Sequence, residues 1–481
     1  MLFNSVQFFI FFPIVVGIYF LTPYRGRWIW LLASSYYFYM CWKPEYILLI
    51  ILSTLIDYYA ALQMGKTSNK QQRKKFLILS LISNLGILFA FKYFNFFNDS
   101  LSAVFNSFNI FYNVPTFKVL LPVGISFYTF QTLSYSIDVY RGHKEPEKHL
   151  GIFALYVAFF PQLVAGPIER STRLLPQFYQ KYDFDYHRVC DGLKLMGWGL
   201  FKKVVIADRL AIYVNSVYNN AHDFTGIPLI LATYFFAFQI YCDFSGYSDI
   251  AIGASRVMGF DLMKNFDRPY FSKSVAEFWK RWHISLSTWF RDYLYIPLGG
   301  NRVSQHRWLI NIMIVFLISG LWHGAKWTFF IWGALHGFYL LFSIWSKELR
   351  AKIHTQFHLD QFPKLSQILS VIITFHLVLF AWIFFRANSL SDAAYIITHL
   401  FSNIQWKLTG AATGLSKIDA VVAVWAIIVL EIVHLVQSKR NIYQLIKKQP
   451  SWLQWGVYYS LIFSILFFGV HSHNQFIYFQ F

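Results

Sequence analysis

Residues 278–302 read FWKRWHISLSTWFRDYLYIPLGGNR, and residues 321–324 read LWHG. In the first stretch His283 stands among aromatic residues and beside several cations. In the second stretch His323 ends the apolar run 308–322, which is long enough to lie inside a bilayer. Ionisable side chains in hydrocarbon cost about 2.5 kcal/mol or more, so both histidines are candidate functional groups.

The composition is typical of a protein that crosses a membrane many times. Of the 481 residues, 56% are hydrophobic, 21% are aromatic and 14% are charged, whereas about 25% of the residues of a soluble domain are charged. Apolar runs recur along the chain, several of them near the twenty residues that a bilayer requires. No linker or low-complexity run divides them. We therefore predict one all-α polytopic integral membrane domain over residues 1–481.

About eleven transmembrane helices are expected, together with re-entrant or interfacial helices, because several apolar runs are short or contain polar residues. The candidate segments are 7–22, 28–42, 46–62, 76–92, 118–137, 149–165, 190–210, 229–257, 308–322, 326–345, 367–385, 419–437 and 453–470.

The net charge of +19 is explained by the basic loops of a membrane protein, so membrane lipids are the expected partners and nucleic acid is not. Lys and Arg concentrate in cytoplasmic loops. The loop 63–75 holds five basic residues and no acid, and Arg25 and Arg27 follow the first candidate span. This pattern predicts an N-terminus outside the cell. Residues 1–5 have no positive charge, so no cleaved signal peptide is expected.

Residues 277–293 contain neither Gly nor Pro and are predicted to form one helix. Trp279, Trp282 and His283 fall on its aromatic face, and Lys280 and Arg281 lie towards the other face. An interfacial amphipathic helix explains this composition equally well. A histidine in the middle of the apolar face, however, indicates that this face is turned into the protein.

His323 is the stronger candidate for a catalytic general base. Gly320 and Gly324 flank it and allow close approach of a neighbour. A buried histidine rests neutral and can take the proton of an attacking hydroxyl. His283 could orient a donor or stabilise an oxyanion if the fold brings it near. His336 would point about 140° away from His323 on a continuous helix, so a structural role is predicted for it.

No metal site and no bound cofactor are predicted. Cys41, Cys190 and Cys242 form no C-x-x-C pair. A di-iron bundle needs two Glu-x-x-His units, and an apolar segment contains only one, Glu431 to His434, while the box from His354 to His358 lies in a separate polar loop. Asp243 and Asp249 are expected to be structural, as buried partners of an arginine or a backbone group.

Several ordered motifs resemble those of the membrane-bound O-acyltransferase family, and in particular its alginate O-acetyltransferase branch. Besides the two opening stretches, they are LPVGISF at 121–127, FPQLVAGPI at 160–168, DFSGYSD at 243–249, WIFFR at 382–386 and FIYFQF at 476–481.

The resemblance implies a ring of helices around a central tunnel that holds an essential histidine, here His323, with His283 as the second functional position. It implies a cytoplasmic thioester donor, such as acetyl-CoA, and a polysaccharide acceptor at the outer face of a bacterial inner membrane. An extracytoplasmic acetyltransferase often completes the transfer and is an expected partner. The candidate donor-binding residues are Lys280, Arg281, Arg291, Trp279 and Trp282.

Three alternatives remain open at this point. D-alanyl transfer to teichoic acid is the activity of another branch with the same fold. A transporter or flippase with a polar cavity would share the composition without any catalysis. Within the acyltransferase hypothesis, His323 acts either as a general base in direct transfer or as a covalent acyl acceptor.

Overall fold

Helices are the dominant secondary structure in the computed structural model, which describes residues 1–117, 120–402, 410, 413–440, 442–470 and 476–477. Within these residues there is no β-strand, only an isolated bridge between Gly410 and Leu415. The predicted all-α class is confirmed. Residues 478–481 of the terminal motif, and residues 118 and 119 of one candidate span, lie outside the described part.

Twenty-two α-helices follow one another in the described residues. The first eight are α1 Val6–Leu21, α2 Arg27–Met40, α3 Ile47–Lys66, α4 Lys70–Leu88, α5 Phe94–Ser107, α6 Ile125–Arg141, α7 Leu150–Ala158 and α8 Phe160–Leu163. The next six are α9 Ser171–Leu174, α10 Tyr186–Leu200, α11 Asp208–Asn219, α12 Ile227–Met258, α13 Val275–Arg281 and α14 Ile284–Phe290. The last eight are α15 Gln305–His323, α16 Trp327–Trp345, α17 Lys347–Gln356, α18 Pro363–Arg386, α19 Leu390–His399, α20 Lys417–Gln437, α21 Ile442–Lys447 and α22 Ser451–Phe468.

Seven helical segments of the described chain are long and apolar enough to cross a membrane. They are Pro44–Lys66, Lys70–Ser107, Ile227–Met258, Trp327–Trp345, Pro363–Arg386, Lys417–Gln437 and Ser451–Phe468. Other candidate spans are shorter or interrupted: α1 has 16 residues and α2 has 14, and segment 149–165 divides between α7 and α8. The chain is therefore polytopic, with short helices between the long ones.

Among the described residues, three π-helical turns interrupt the helices, and they lie at Phe89–Tyr93, Phe201–Ala207 and Arg291–Tyr295. Turns of this kind are rare in proteins, and those that do occur often lie at functional sites. The first joins α4 to α5, the second joins α10 to α11, and the third follows α14.

Helices α15 and α16 form a hairpin whose backbones touch at glycines. A Cβ on Gly320 would lie 2.3 Å from the carbonyl oxygen of Phe329, and one on Gly333 would lie 2.3 Å from that of Phe316. No side chain fits at either position. Small residues permit this approach between membrane helices, and it fixes the end of α15, where His323 lies.

The single helix predicted over residues 277–293 is wrong, because the chain breaks at His283. Helix α13 ends at Arg281 and α14 begins at Ile284, and His283 between them has φ +44°. The helix is interrupted because backbone groups on both sides of His283 form hydrogen bonds with the segment that precedes α13. The amide of Ile284 donates to the Asn265 carbonyl over 2.9 Å, and the amide of Asp267 donates to the Arg281 carbonyl over 2.9 Å.

Candidate active site

His283 is held by Asn265 at the start of α14. The histidine is fully buried, and its Nδ1 lies 3.2 Å from Asn265 Oδ1. The same oxygen accepts the amide and the hydroxyl of Ser285 over 3.2 Å and 3.0 Å. Because this oxygen acts as an acceptor, the neutral imidazole carries its proton on Nδ1 and its lone pair on Nε2.

His323 ends α15 and lies in an aromatic enclosure. Its ring centroid is 5.0 Å from that of Trp332 and 5.4 Å from that of Phe385. It is 6.5 Å from the ring centroid of His283. The fold therefore brings together the two histidines that sequence reasoning singled out, although their spacing in the chain did not show that they meet.

His336 lies on α16 and is separated from His323 by the ring of Trp332. Its ring centroid is 5.0 Å from that of Trp332, which thus packs against both His323 and His336. The indole N–H of Trp279 donates to His336 Nδ1 over 3.2 Å. The assumption of a continuous helix between His323 and His336 was wrong, because the chain turns between α15 and α16.

A cavity of about 30 Å³, enough space for a water molecule, opens beside His323. Its walls are residues 121–127 together with Lys92, Val164, Trp322 and His323. Gly124 has φ +76°, and a Cβ there would lie 2.9 Å from the Leu163 carbonyl oxygen. Three of the family-like motifs thus meet at this cavity: 121–127, 160–168 and the Trp-His-Gly stretch. The continuous central tunnel stays a prediction.

Asp243 and Asp249 lie on α12 and pair with the π-helical segment Phe201–Ala207. Lys203 Nζ lies 2.7 Å from Asp243, and Lys202 Nζ lies 2.7 Å from Asp249. Asp243 also accepts the amide of Ile477 over 2.7 Å. The side-chain partners are lysines rather than the expected arginine, and a backbone group is also present.

The five candidate donor-binding residues do not form one cluster. Trp282 is fully buried, its ring 5.1 Å from that of Trp382. Trp279 contacts His336. Arg281 forms an ion pair with Glu277, Lys280 is exposed, and Arg291 binds its neighbour Asp292. The two tryptophans lie near the histidines, and a donor-binding role for the three cations stays a prediction.

The Glu-x-x-His unit on α20 has partners within the protein. Glu431 lies 3.4 Å from His434 Nδ1, and the hydroxyl of Tyr241 lies 3.0 Å from His434 Nε2. In the part of the chain that the structure describes, no three His, Cys, Asp or Glu side chains are grouped so as to hold a metal ion.

Sequence reasoning missed Asn265, Trp332 and Lys92. Asn265 lies in a polar stretch far from its partner, and nothing in its local sequence marks it. Trp332 is one of 17 tryptophans. Lys92 did carry a signal, since it is the only cation between Lys75 and Lys118 and stands in an apolar segment, where a charge is a functional candidate by default.

Comparison with known proteins identifies the family of the chain. The sequence model of MBOAT, the membrane-bound O-acyltransferase family, matches residues 29–390. A probable alginate O-acetylase, AlgI, of Azotobacter vinelandii is 41% identical over 408 residues, which are 84% of this chain and 79% of the relative.

Two further relatives have other named activities. A peptidoglycan O-acetyltransferase of Helicobacter pylori is 36% identical over 431 residues, covering 82% of this chain and 79% of that protein. A teichoic acid D-alanyltransferase of Streptococcus thermophilus is 30% identical over 292 residues, which are 55% of this chain and 68% of that protein. In the structure, the family-like motifs meet around two buried histidines. The extent of the matches shows that the chain belongs to the membrane-bound O-acyltransferase family.

Proposed function

We propose that this acyltransferase moves an acetyl group from a cytoplasmic thioester donor, such as acetyl-CoA, to hydroxyls of a cell-envelope or extracellular polysaccharide. Transfer is either direct or completed by an extracytoplasmic acetyltransferase partner. The more extensive similarity to the O-acetylating relatives, compared with the D-alanyltransferase, favours acetyl as the group transferred.

The observation that carries the proposal is the 6.5 Å separation of the His283 and His323 rings inside a buried aromatic enclosure. His323 takes the proton of the attacking hydroxyl as its oxygen bonds to the thioester carbonyl carbon. The carbon–sulfur bond then breaks, and the thiolate takes up a proton. In the covalent version the His323 nitrogen first accepts the acetyl group and the hydroxyl then removes it.

The distribution of charge supports transfer from one side of the membrane to the other. Arg302 precedes helix α15 and Arg307 lies in its first turn. The helix has 19 residues up to His323, a length of about 28 Å at 1.5 Å per residue. His323 is therefore about one hydrocarbon thickness from this basic end. With this basic end in the cytoplasm of a bacterial cell, His323 faces the acceptor side. The basic loop 63–75 and the pair Arg25 and Arg27 lie on the same side, which puts the N-terminus outside.

The test is the O-acetyl content of envelope polysaccharide in a strain that lacks the gene and carries wild type or variants at matched membrane levels. Wild type is expected to restore O-acetyl groups, and His323→Ala and His283→Ala are expected not to. Restoration of D-alanyl esters instead of acetyl groups would contradict acetyl transfer and support the D-alanyltransferase alternative. Full acetylation in the strain that carries His323→Ala would contradict catalysis by His323 and support the alternative of a non-catalytic transporter.

A further inference from the structure

The carbonyl end of α15 is bound by two side chains from the π-helical turn Phe89–Tyr93. An α-helix leaves its last four carbonyls without partners in the helix, and in α15 these belong to residues 320–323. Tyr93 donates its hydroxyl to the Leu321 carbonyl over 3.0 Å. The Lys92 ammonium donates to the carbonyls of Trp322, over 2.7 Å, and His323, over 3.2 Å.

These bonds complete the hydrogen bonding of the helix end. The Gly320 carbonyl accepts the Gly324 amide over 3.4 Å, so every one of the four carbonyls has a donor. The third proton of Lys92 reaches Ser126 Oγ over 3.4 Å, and thus all three donors of the ammonium are used. A cation at the carbonyl end of a helix is also favoured by the helix dipole.

No carboxylate in the described part of the chain lies within ion-pair distance of Lys92. The ammonium is instead held by backbone oxygens of the residue that carries the candidate catalytic imidazole. A lysine that served only to neutralise an acid would not be placed in this way. Lys92 is also half-buried and lines the cavity beside His323, so it is not a fully exposed surface cation.

We infer that Lys92 is a positioning residue for His323, and that Tyr93 assists it by binding the preceding carbonyl. This inference rests on the proposed function. By fixing the last turn of α15, the two side chains hold the His323 ring at its distance from His283. A displacement of about 1 Å at a reacting group can lower the rate about 100-fold, so the contribution is expected in kcat and not in donor binding.

The test uses the purified full-length protein in lipid with a labelled acetyl-thioester and a hydroxyl acceptor. Lys92→Met removes the donors at similar side-chain length and is expected to lower kcat about 100-fold, with KM for the donor unchanged. Tyr93→Phe removes one hydroxyl and is expected to lower kcat about tenfold. The control is Lys326→Met, an exposed lysine just beyond the same helix end, which should behave as wild type.

A folded Lys92→Met with the wild-type kcat would overturn the inference, as would a raised KM at constant kcat, which would mean that Lys92 binds the donor. Should Lys92→Met not fold, an unchanged kcat in Tyr93→Phe would overturn it. Hydrogen exchange at residues 321–324 separates this inference from the function, because it needs no turnover. Faster exchange in either variant supports the positioning role even if wild type consumes no thioester, and unchanged exchange contradicts it.

Discussion

The ring centroids of His283 and His323 lie 6.5 Å apart, one at the start of α14 and the other at the end of α15. Each imidazole sits at a helix terminus and is oriented by contacts from another part of the chain. Asn265 binds the side chain of the first, and Lys92 binds the backbone of the second. The geometry of the site therefore depends on residues that need not touch a substrate.

Asn265→Ala is expected to lower acetyl transfer about 10- to 100-fold and to destabilise the fold by about 1–3 kcal/mol, because it leaves the Ser285 amide and the His283 Nδ1–H without their acceptor. Activity and thermal unfolding in detergent would measure both effects. Ser248→Ala is the matched control, since Ser248 Oγ accepts from Asn265 Nδ2, the other end of the same side-chain amide, over 3.3 Å. Equal losses in the two variants would contradict the orienting role of Asn265.

The composition and the apolar runs were sufficient to predict the all-α membrane class, and residue types were sufficient to single out His283 and His323. The break at His283 was not predictable, because it results from hydrogen bonds with Asn265 and Asp267 and not from any local helix-breaking residue. About eleven spans were expected from the apolar runs, whereas seven helical segments of the described chain are long and apolar enough to cross a membrane, and the reason is similar. Tertiary packing buries short helices such as α7 that a hydropathy pattern presents as parts of spans.

Gly320→Ala and Gly333→Ala are each expected to destabilise the protein by about 1–3 kcal/mol, the usual cost of overpacking, because the added methyl group meets a backbone carbonyl of the facing helix. Thermal unfolding in detergent would show the loss. Gly456→Ala on α22 is the control, since a Cβ there meets nothing within 4 Å. A wild-type transition for Gly320→Ala would mean that α15 and α16 do not approach this closely.

Asp243→Asn is expected to destabilise the protein by about 1–3 kcal/mol, since it removes the charge of one of the two carboxylates that hold the buried Lys203. Lys203 lies between Asp243 and Asp208, at 2.7 Å and 2.8 Å. Asp249→Asn should cost less, because the Asp249 side chain is 24% exposed against 5% for Asp243. Chemical denaturation of both variants would test the order, and the reverse order would contradict the burial of this ion cluster.

The most direct test of the central claim is single-turnover transfer of labelled acetyl from a thioester to a hydroxyl acceptor by the purified protein in lipid. Wild type and His376→Ala, a variant of an exposed histidine on α18, should transfer the label at equal rates, whereas folded His323→Ala should transfer none above the uncatalysed rate. Transfer by His323→Ala at the wild-type rate would contradict the assignment of the chemistry to this site.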